Sequence, residues 1–160
     1  MNTVNSRLLG TSVLLGTLFA VGLAAAPAVT AAPDCFGQSA TVADHDGDIV
    51  GTGGDDVIIG DNGPNEISGK GGNDLICGRG GDDEIDGGPG DDQLDGDGDE
   101  DTLHGGKGND KLWGGPADDQ LFGQAGDDIL AGEGGDEFMS GGPGTDFCTP
   151  TGAGSLLLPC

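Results

Sequence analysis

The chain is short of positive charge. Of its 160 residues only five are Lys or Arg, against 29 Asp and Glu, and the formal net charge is −24. Nucleic acids and anionic membrane surfaces are recognised through clustered Lys and Arg, so neither is expected as a partner. Aromatic residues are also scarce, with no Tyr, one Trp and five Phe. An aromatic-rich core cannot form, and hydrophobic burial alone is weak. The two histidines, His45 and His104, stand far apart, and no Cys/His spacing suggests a zinc centre. Neither a nucleophile elbow nor an H-E-x-x-H motif is present. Outside the repetitive region described below, the flanking segments offer 19 and 11 residues, too few for a catalytic domain. The chain therefore reads as non-enzymatic.

What the chain does have is glycine, 36 residues of it, and acid. Disorder, collagen, an acidic solvating tail and a repetitive acidic metal scaffold all fit such a bias. Periodicity separates them.

The only long apolar run is at the start. Arg7 precedes the stretch Leu8 to Ala26, and Val29-Thr30-Ala31 offers small residues for cleavage, so residues 1–31 read as a secretory signal. Gly10, Gly16 and Gly22 interrupt the run and Pro27 ends it, which argues against stable membrane insertion. The expected location is extracellular. With four basic against 29 acidic residues, the mature charge is −25. Export places Cys35, Cys77, Cys148 and Cys160 in an oxidising compartment, where an even number of cysteines favours disulfides. Three pairings are formally possible.

From Gly51 a glycine recurs every nine residues through Gly141, eleven times in register. The eighth position of each repeat is apolar, from Ile58 through Ile85, Leu94 and Leu130 to Met139, with Cys148 last. The sixth position is Asp56, Asn65, Asp74, Asp83, Asp92, Asp101, Asp110, Asp119, Asp128, Glu137 and Asp146. The fourth is glycine except at Asp99 and Ala117. The unit is G-x-x-G-x-D-x-U-x, with U apolar. Period nine excludes collagen, which needs glycine at every third residue. Asp44-His45-Asp46-Gly47-Asp48 and Asp95-Gly96-Asp97-Gly98-Asp99 lack the Gly and chelating Glu that an EF-hand loop requires.

The copies Gly87 to Asp95 and Gly105 to Trp113 resemble the RTX (haemolysin-type) consensus, and the likeness covers residues 51–149. The resemblance implies an all-β fold, a right-handed parallel β-roll in which two repeats make one coil. Each repeat has a short strand around U followed by a six-residue turn. Residues eighteen apart then stack roughly 4.8 Å apart, with the U side chains between two facing sheets. The chain divides into a signal (1–31), an N-terminal cap (32–50), the roll (51–149) and a C-terminal cap (150–160).

The implied geometry stacks the sixth-position carboxylates into two columns. At roughly 5 Å and an effective dielectric of about 20, each adjacent pair costs on the order of 3 kcal/mol, which a divalent cation between turns would reverse. Calcium fits best, because it takes six to eight oxygens at flexible geometry. In the family each ion is shared by the aspartates of turns n and n+2. Seven intervals here have Asp on both sides, drawn from Asp56, Asp74, Asp83, Asp92, Asp101, Asp110, Asp119, Asp128 and Asp146; the two containing Asn65 or Glu137 are weaker. Seven to nine Ca2+ would bring the charge from −25 to between −11 and −7.

Outward positions are polar in mid-roll but apolar at the ends, with Val57, Ile59 and Leu75 at one and Ile129, Phe138 and Phe147 at the other. The caps are expected to cover them through Phe36, Val42, Ile49 and Val50 and through Leu156, Leu157 and Leu158. In the implied fold Cys77 stacks beside Ile59 under the first cap, favouring Cys35–Cys77. Cys148 replaces the last U residue, favouring Cys148–Cys160. Trp113, His104 and Phe122 are expected as scattered surface aromatics, with Trp113 apart from the other two. Two functions fit this reading: a secreted calcium-binding protein that folds on binding several ions, or a calcium-dependent adhesion or assembly module at the cell surface or in the extracellular matrix.

Overall fold

The computed structural model describes residues 34–43 and 47–160, so the signal-peptide reading lies outside the described residues. Those residues form strands and turns only. A hairpin of β1 (Asp34–Cys35) and β2 (Gln38–Ser39) is followed by β3 (Val42–Ala43), β4 (Asp48–Val50), β5 (Val57–Ile59) and β6 (Glu66–Ser68). Seven six-residue strands come next: β7 (Leu75–Gly80), β8 (Glu84–Pro89), β9 (Gln93–Gly98), β10 (Thr102–Lys107), β11 (Lys111–Pro116), β12 (Gln120–Ala125) and β13 (Ile129–Gly134). The chain ends with β14 (Phe138–Ser140), β15 (Phe147–Thr149) and β16 (Leu156–Leu157).

Odd and even strands from β3 onward segregate into two parallel seven-stranded sheets, β15-β13-β11-β9-β7-β5-β3 and β16-β14-β12-β10-β8-β6-β4. Pairing joins residues eighteen apart, as in Leu103 with Leu121 and Ile76 with Leu94. The nine-residue period thus becomes half a coil, and the fold is the parallel β-roll that the repeat implies. Its core is one column of aliphatic side chains: Ile49, Ile58, Ile67, Ile76, Ile85, Leu94, Leu103, Leu112, Leu121, Leu130 and Met139. Each is at most 1 % exposed. One such side chain per nine residues contributes about 1.5–3 kcal/mol, so little per residue that the turns must supply much of the stability.

The turns differ from expectation. In mid-roll the strands run from position seven of one repeat to position three of the next, so Arg79 and Gly80 still pair with Asp97 and Gly98, and only positions four to six turn. Six-residue turns survive only around the three-residue strands at the ends. Within this path position two has positive φ whatever its side chain, including Lys70 (80°), Arg79 (90°) and Gln124 (73°). Position four is left-handed too, and at Ala117 φ is 125°. A Cβ there costs about 1–3 kcal/mol of strain, partly offset by the extra unfolded-state freedom glycine brings. Ala117→Gly is therefore expected to stabilise the calcium-loaded fold by about 1 kcal/mol, read as a raised Tm.

The ends are closed unequally. Cys35 is bonded to Cys77, and with Ile59 both are buried on the outer face of the β5–β7 sheet, with Ala40, Val57 and Leu75 packed around them. Ile49, expected among the covers, instead begins the core column, pairing with Ile67. Cys148 is bonded to Cys160. The expected C-terminal cover does not form: β16 adds a further rung beside β14, and Ile129 (43 % exposed) and Phe147 (62 %) remain open to solvent. The reason is register. Leu156 lies eighteen residues after Phe138 and continues the ladder rather than folding over it.

His104 stacks on Phe122, with ring centroids 4.9 Å apart, and Phe122 meets Phe138 at 5.6 Å. Trp113 lies apart from them, on the other sheet, but it is not isolated: Phe36 of the β1–β2 hairpin packs on it at 5.3 Å.

Candidate metal centre

The sixth-position side chains are where the turns come together. Asp74, Asp83, Asp92, Asp101, Asp110, Asp119 and Asp128 are at most 3 % exposed. In each, Oδ1 accepts a hydrogen bond from the backbone N–H of the sixth-position residue one coil earlier: Asp74 from Asp56, Asp83 from Asn65, Asp92 from Asp74, and so on, at 2.8–2.9 Å. Asp146 accepts from Asp128 at 3.0 Å in the same way but is only half-buried. These bonds fix every carboxylate in one orientation.

The second oxygen has no such partner. Oδ2 of Asp74, Asp83, Asp92, Asp101, Asp110, Asp119 and Asp128 is buried and accepts no hydrogen bond. Seven unpaired carboxylate oxygens inside one small fold are costly, since burying a charged acceptor without a partner loses its full hydration. Burial pushes Asp101 and Asp110 up to about 7 and Asp83, Asp92 and Asp119 up to about 6, and it raises Asp74 and Asp128 as well. The N–H bond to Oδ1 opposes the rise, and neighbouring carboxylates, such as Asp92 and Asp128 around Asp110, add to it.

The glycine ruler has its cause here. None of the position-one glycines has a left-handed φ; what they supply is room. A Cβ on Gly87 would stand 2.5 Å from Asp92 Oδ2 and 2.8 Å from the carbonyl oxygen of Gly105 in the next coil. Gly69, Gly78 and Gly96 stand in the same relation to Asp74, Asp83 and Asp101 and to the next coil's carbonyl. A carboxylate oxygen and a backbone carbonyl oxygen thus converge on a space that only glycine leaves open. Gly87→Ala is expected to cost about 1–3 kcal/mol through overpacking. Thermal unfolding in excess calcium would show it as a Tm lowered by several degrees.

The terminal members of the set are satisfied differently. Asp56 Oδ2 accepts from the N–H of Thr52 at 2.7 Å and from its hydroxyl at 2.9 Å. Asn65 Oδ1 accepts from the N–H of Asp61 at 2.9 Å. Glu137, one methylene longer, leaves the pattern: Ser155 and Thr151 donate their hydroxyls to it.

Position five carries a second ladder, which the sequence reading passed over. Asp55 accepts from the N–H of Asn73, Asn73 from Asp91, Asp91 from Asn109, Asn109 from Asp127 and Asp127 from Thr145, at 2.8–2.9 Å. These bonds run toward the C-terminus, opposite to those of position six, so along this edge each turn is tied to both neighbours. Along this edge the alternation of Asp and Asn separates like charges by two coils, whereas on the other edge position five is Asp82, Glu100, Asp118 and Asp136 and the bonds are fewer. Asp95, on the outer face beside Cys77 and Trp113, is a further perturbed carboxylate, pushed up to about 6 mainly by burial.

Among the described residues no three His, Cys, Asp or Glu side chains gather into one compact cluster. The donors are hard oxygens, one or two carboxylates per interval with backbone carbonyls beside them, repeated along each edge. That set fits calcium, whose oxygen shell is large and tolerant in geometry. When bound, the ion would supply the positive charge that the unpaired Oδ2 atoms lack.

A two-sheet parallel solenoid with buried carboxylate columns along its turns defines an acidic β-roll. Residues 50–85, 78–112 and 113–148 match the family profile described as the RTX calcium-binding nonapeptide repeat (4 copies). Those spans make up more than half of the chain, which belongs to this calcium-binding repeat family. No match was found among curated proteins or among solved structures.

Proposed function

We propose that this is a secreted, non-catalytic protein that folds into its roll as it binds seven calcium ions between successive turns. The observation that carries this reading is the set of seven buried, unpartnered Oδ2 oxygens, each held in place by the N–H bond to its sister Oδ1. On this reading Asp74, Asp83, Asp92, Asp101, Asp110, Asp119 and Asp128 are the principal ligands. Asp56, Asn65, Glu137 and Asp146 are terminal members: the first three have local partners of their own, and the last lies in an open turn. The family pattern of turns n and n+2 pairs Asp56 with Asp74 as one of seven sites. The Thr52 bonds to Asp56 favour shifting that count to the interval between Asp119 and Glu137.

Export through a signal in residues 1–31 is supported by the two disulfides, which persist in oxidising compartments. Outside the cell calcium is plentiful, so the chain would remain extended before export and become rigid after it. Residues 32–50 and 150–160 flank the roll of 51–149 as its two terminal segments. The acidic surface disfavours nucleic acid, and among the described residues no helix is long and apolar enough to cross a membrane.

Replacing Asp92 and Asp110 together with Ala tests the ligand assignment. Calorimetric titration should show at least two ions lost and a weaker mean affinity. Unchanged stoichiometry and affinity would move the sites elsewhere.

A further inference from the structure

The two ends of the roll differ in charge as well as in cover. From Phe138 to Cys160 the only charged side chain is Asp146, whereas the rest of the chain holds almost all of the −24. This neutral end is also where apolar groups are open to solvent: Phe147 (62 % exposed), Leu156 (55 %), Leu157 (40 %) and Leu158 (43 %). Leu157 pairs with Met139 and so occupies the inward column, one rung beyond the last buried member. Among the described residues, both sheets stop there in edge strands, β15 and β16. Leu156 and Leu158 donate their N–H groups to Glu137 and Met139. Alternate residues of a parallel ladder face opposite sides, so Leu157 turns its backbone N–H and C=O outward.

The opposite edge is unlike it. There the edge strand β4 carries Asp48, and Glu66 and Glu84 continue its register inward on β6 and β8, a row of like charges that begins at this edge and repels another acidic chain.

We propose that the C-terminal end face, built on β15 and β16, binds a second copy of this chain end to end. The charge argues for that occupant. Two molecules this acidic repel over most of their described surface, and this face joins a near-neutral segment with apolar groups and strand edges. A two-fold axis perpendicular to the roll sets β16 against its symmetry mate in antiparallel pairing and buries each Leu157 against the other, which closes the assembly at two. The strands at this end have three and two residues, so each paired edge spans only about 10 Å, and the end face falls well below the roughly 800 Å² per partner of a standard interface. The dimer is therefore a weak one.

This inference rests on the calcium-folded roll proposed above. Sedimentation velocity of the full chain in excess calcium, from about 1 to 200 µM, should show a reversible monomer–dimer equilibrium. Leu156→Lys with Leu158→Lys should weaken it at least tenfold, and Phe147→Lys, at an already exposed position, should also weaken it if the edge substitutions disturb folding. Val50→Lys at the opposite edge should leave it unchanged. A wild-type chain that stays monomeric throughout, a dimer indifferent to these C-terminal substitutions, or open polymers abolished by Val50→Lys would each overturn the proposal. Circular dichroism on the same samples separates the two readings. A chain that calcium folds but does not dimerise refutes only this inference, and one that calcium does not fold refutes the proposed function.

Discussion

Stripping calcium from the protein at neutral pH is expected to unfold the roll almost completely. The physical reason is the mismatch between its core and its charge. A single column of aliphatic side chains, one per repeat, faces seven buried carboxylates whose Oδ2 atoms have no partner. An ion bound at 100 times its dissociation constant adds about 2.7 kcal/mol to stability. Two to five such ions match the whole of an ordinary domain's 5–15 kcal/mol. Binding energy is then folding energy, as in other metal-dependent small domains. Far-UV circular dichroism in excess chelator should show a disordered chain, with the disulfides at Cys35–Cys77 and Cys148–Cys160 left to restrain only the two ends.

The second large effect is on acidification. Asp101 and Asp110 are raised to about 7 and Asp83, Asp92 and Asp119 to about 6, against 3.8 for a free aspartate. A carboxyl group whose pKa is higher in the folded chain binds protons more tightly when folded. The metal-free roll therefore loses stability as pH rises from about 4 to about 7, and recovers it as pH falls through the same window. Chelated protein should regain β-structure between pH 7 and pH 4, and full disorder at pH 4 would refute this. Protons and calcium also compete for the same oxygens. Calcium affinity should drop steeply below pH 7, followed by titration at pH 7.5, 6.5 and 5.5.

The glycine ruler, the eighth-position aliphatics and the sixth-position acids are periodic, and a periodic sequence folds the same way in every coil. With the two-repeat coil that the family resemblance implies, residues eighteen apart such as Leu103 and Leu121 pair, and the aspartates fall into columns. Three features were harder to read. Position-one glycines look like turn glycines, yet Gly87 is needed for the room it leaves beside Asp92, and that depends on side-chain direction. Left-handed φ at Lys70 and Arg79 runs against residue preference, because the coil imposes it on whatever residue stands there. The Asp and Asn alternation at position five was visible, but its bonds to the next coil's N–H groups appear only once residues eighteen apart are brought together. At the C-terminal end, Leu156 to Leu158 read as a cover because they are apolar. Strand register overrode that reading and left the apolar face open.

The most direct test of the account is a calcium titration at pH 7.5 that counts bound ions by calorimetry while circular dichroism follows folding in the same range. The account requires a cooperative transition from disordered chain to β-structure, complete as about seven ions bind, with loss of ions in the Asp92 and Asp110 double variant. A chain already β-structured in excess chelator, or one that folds fully with no more than one ion bound, would contradict it.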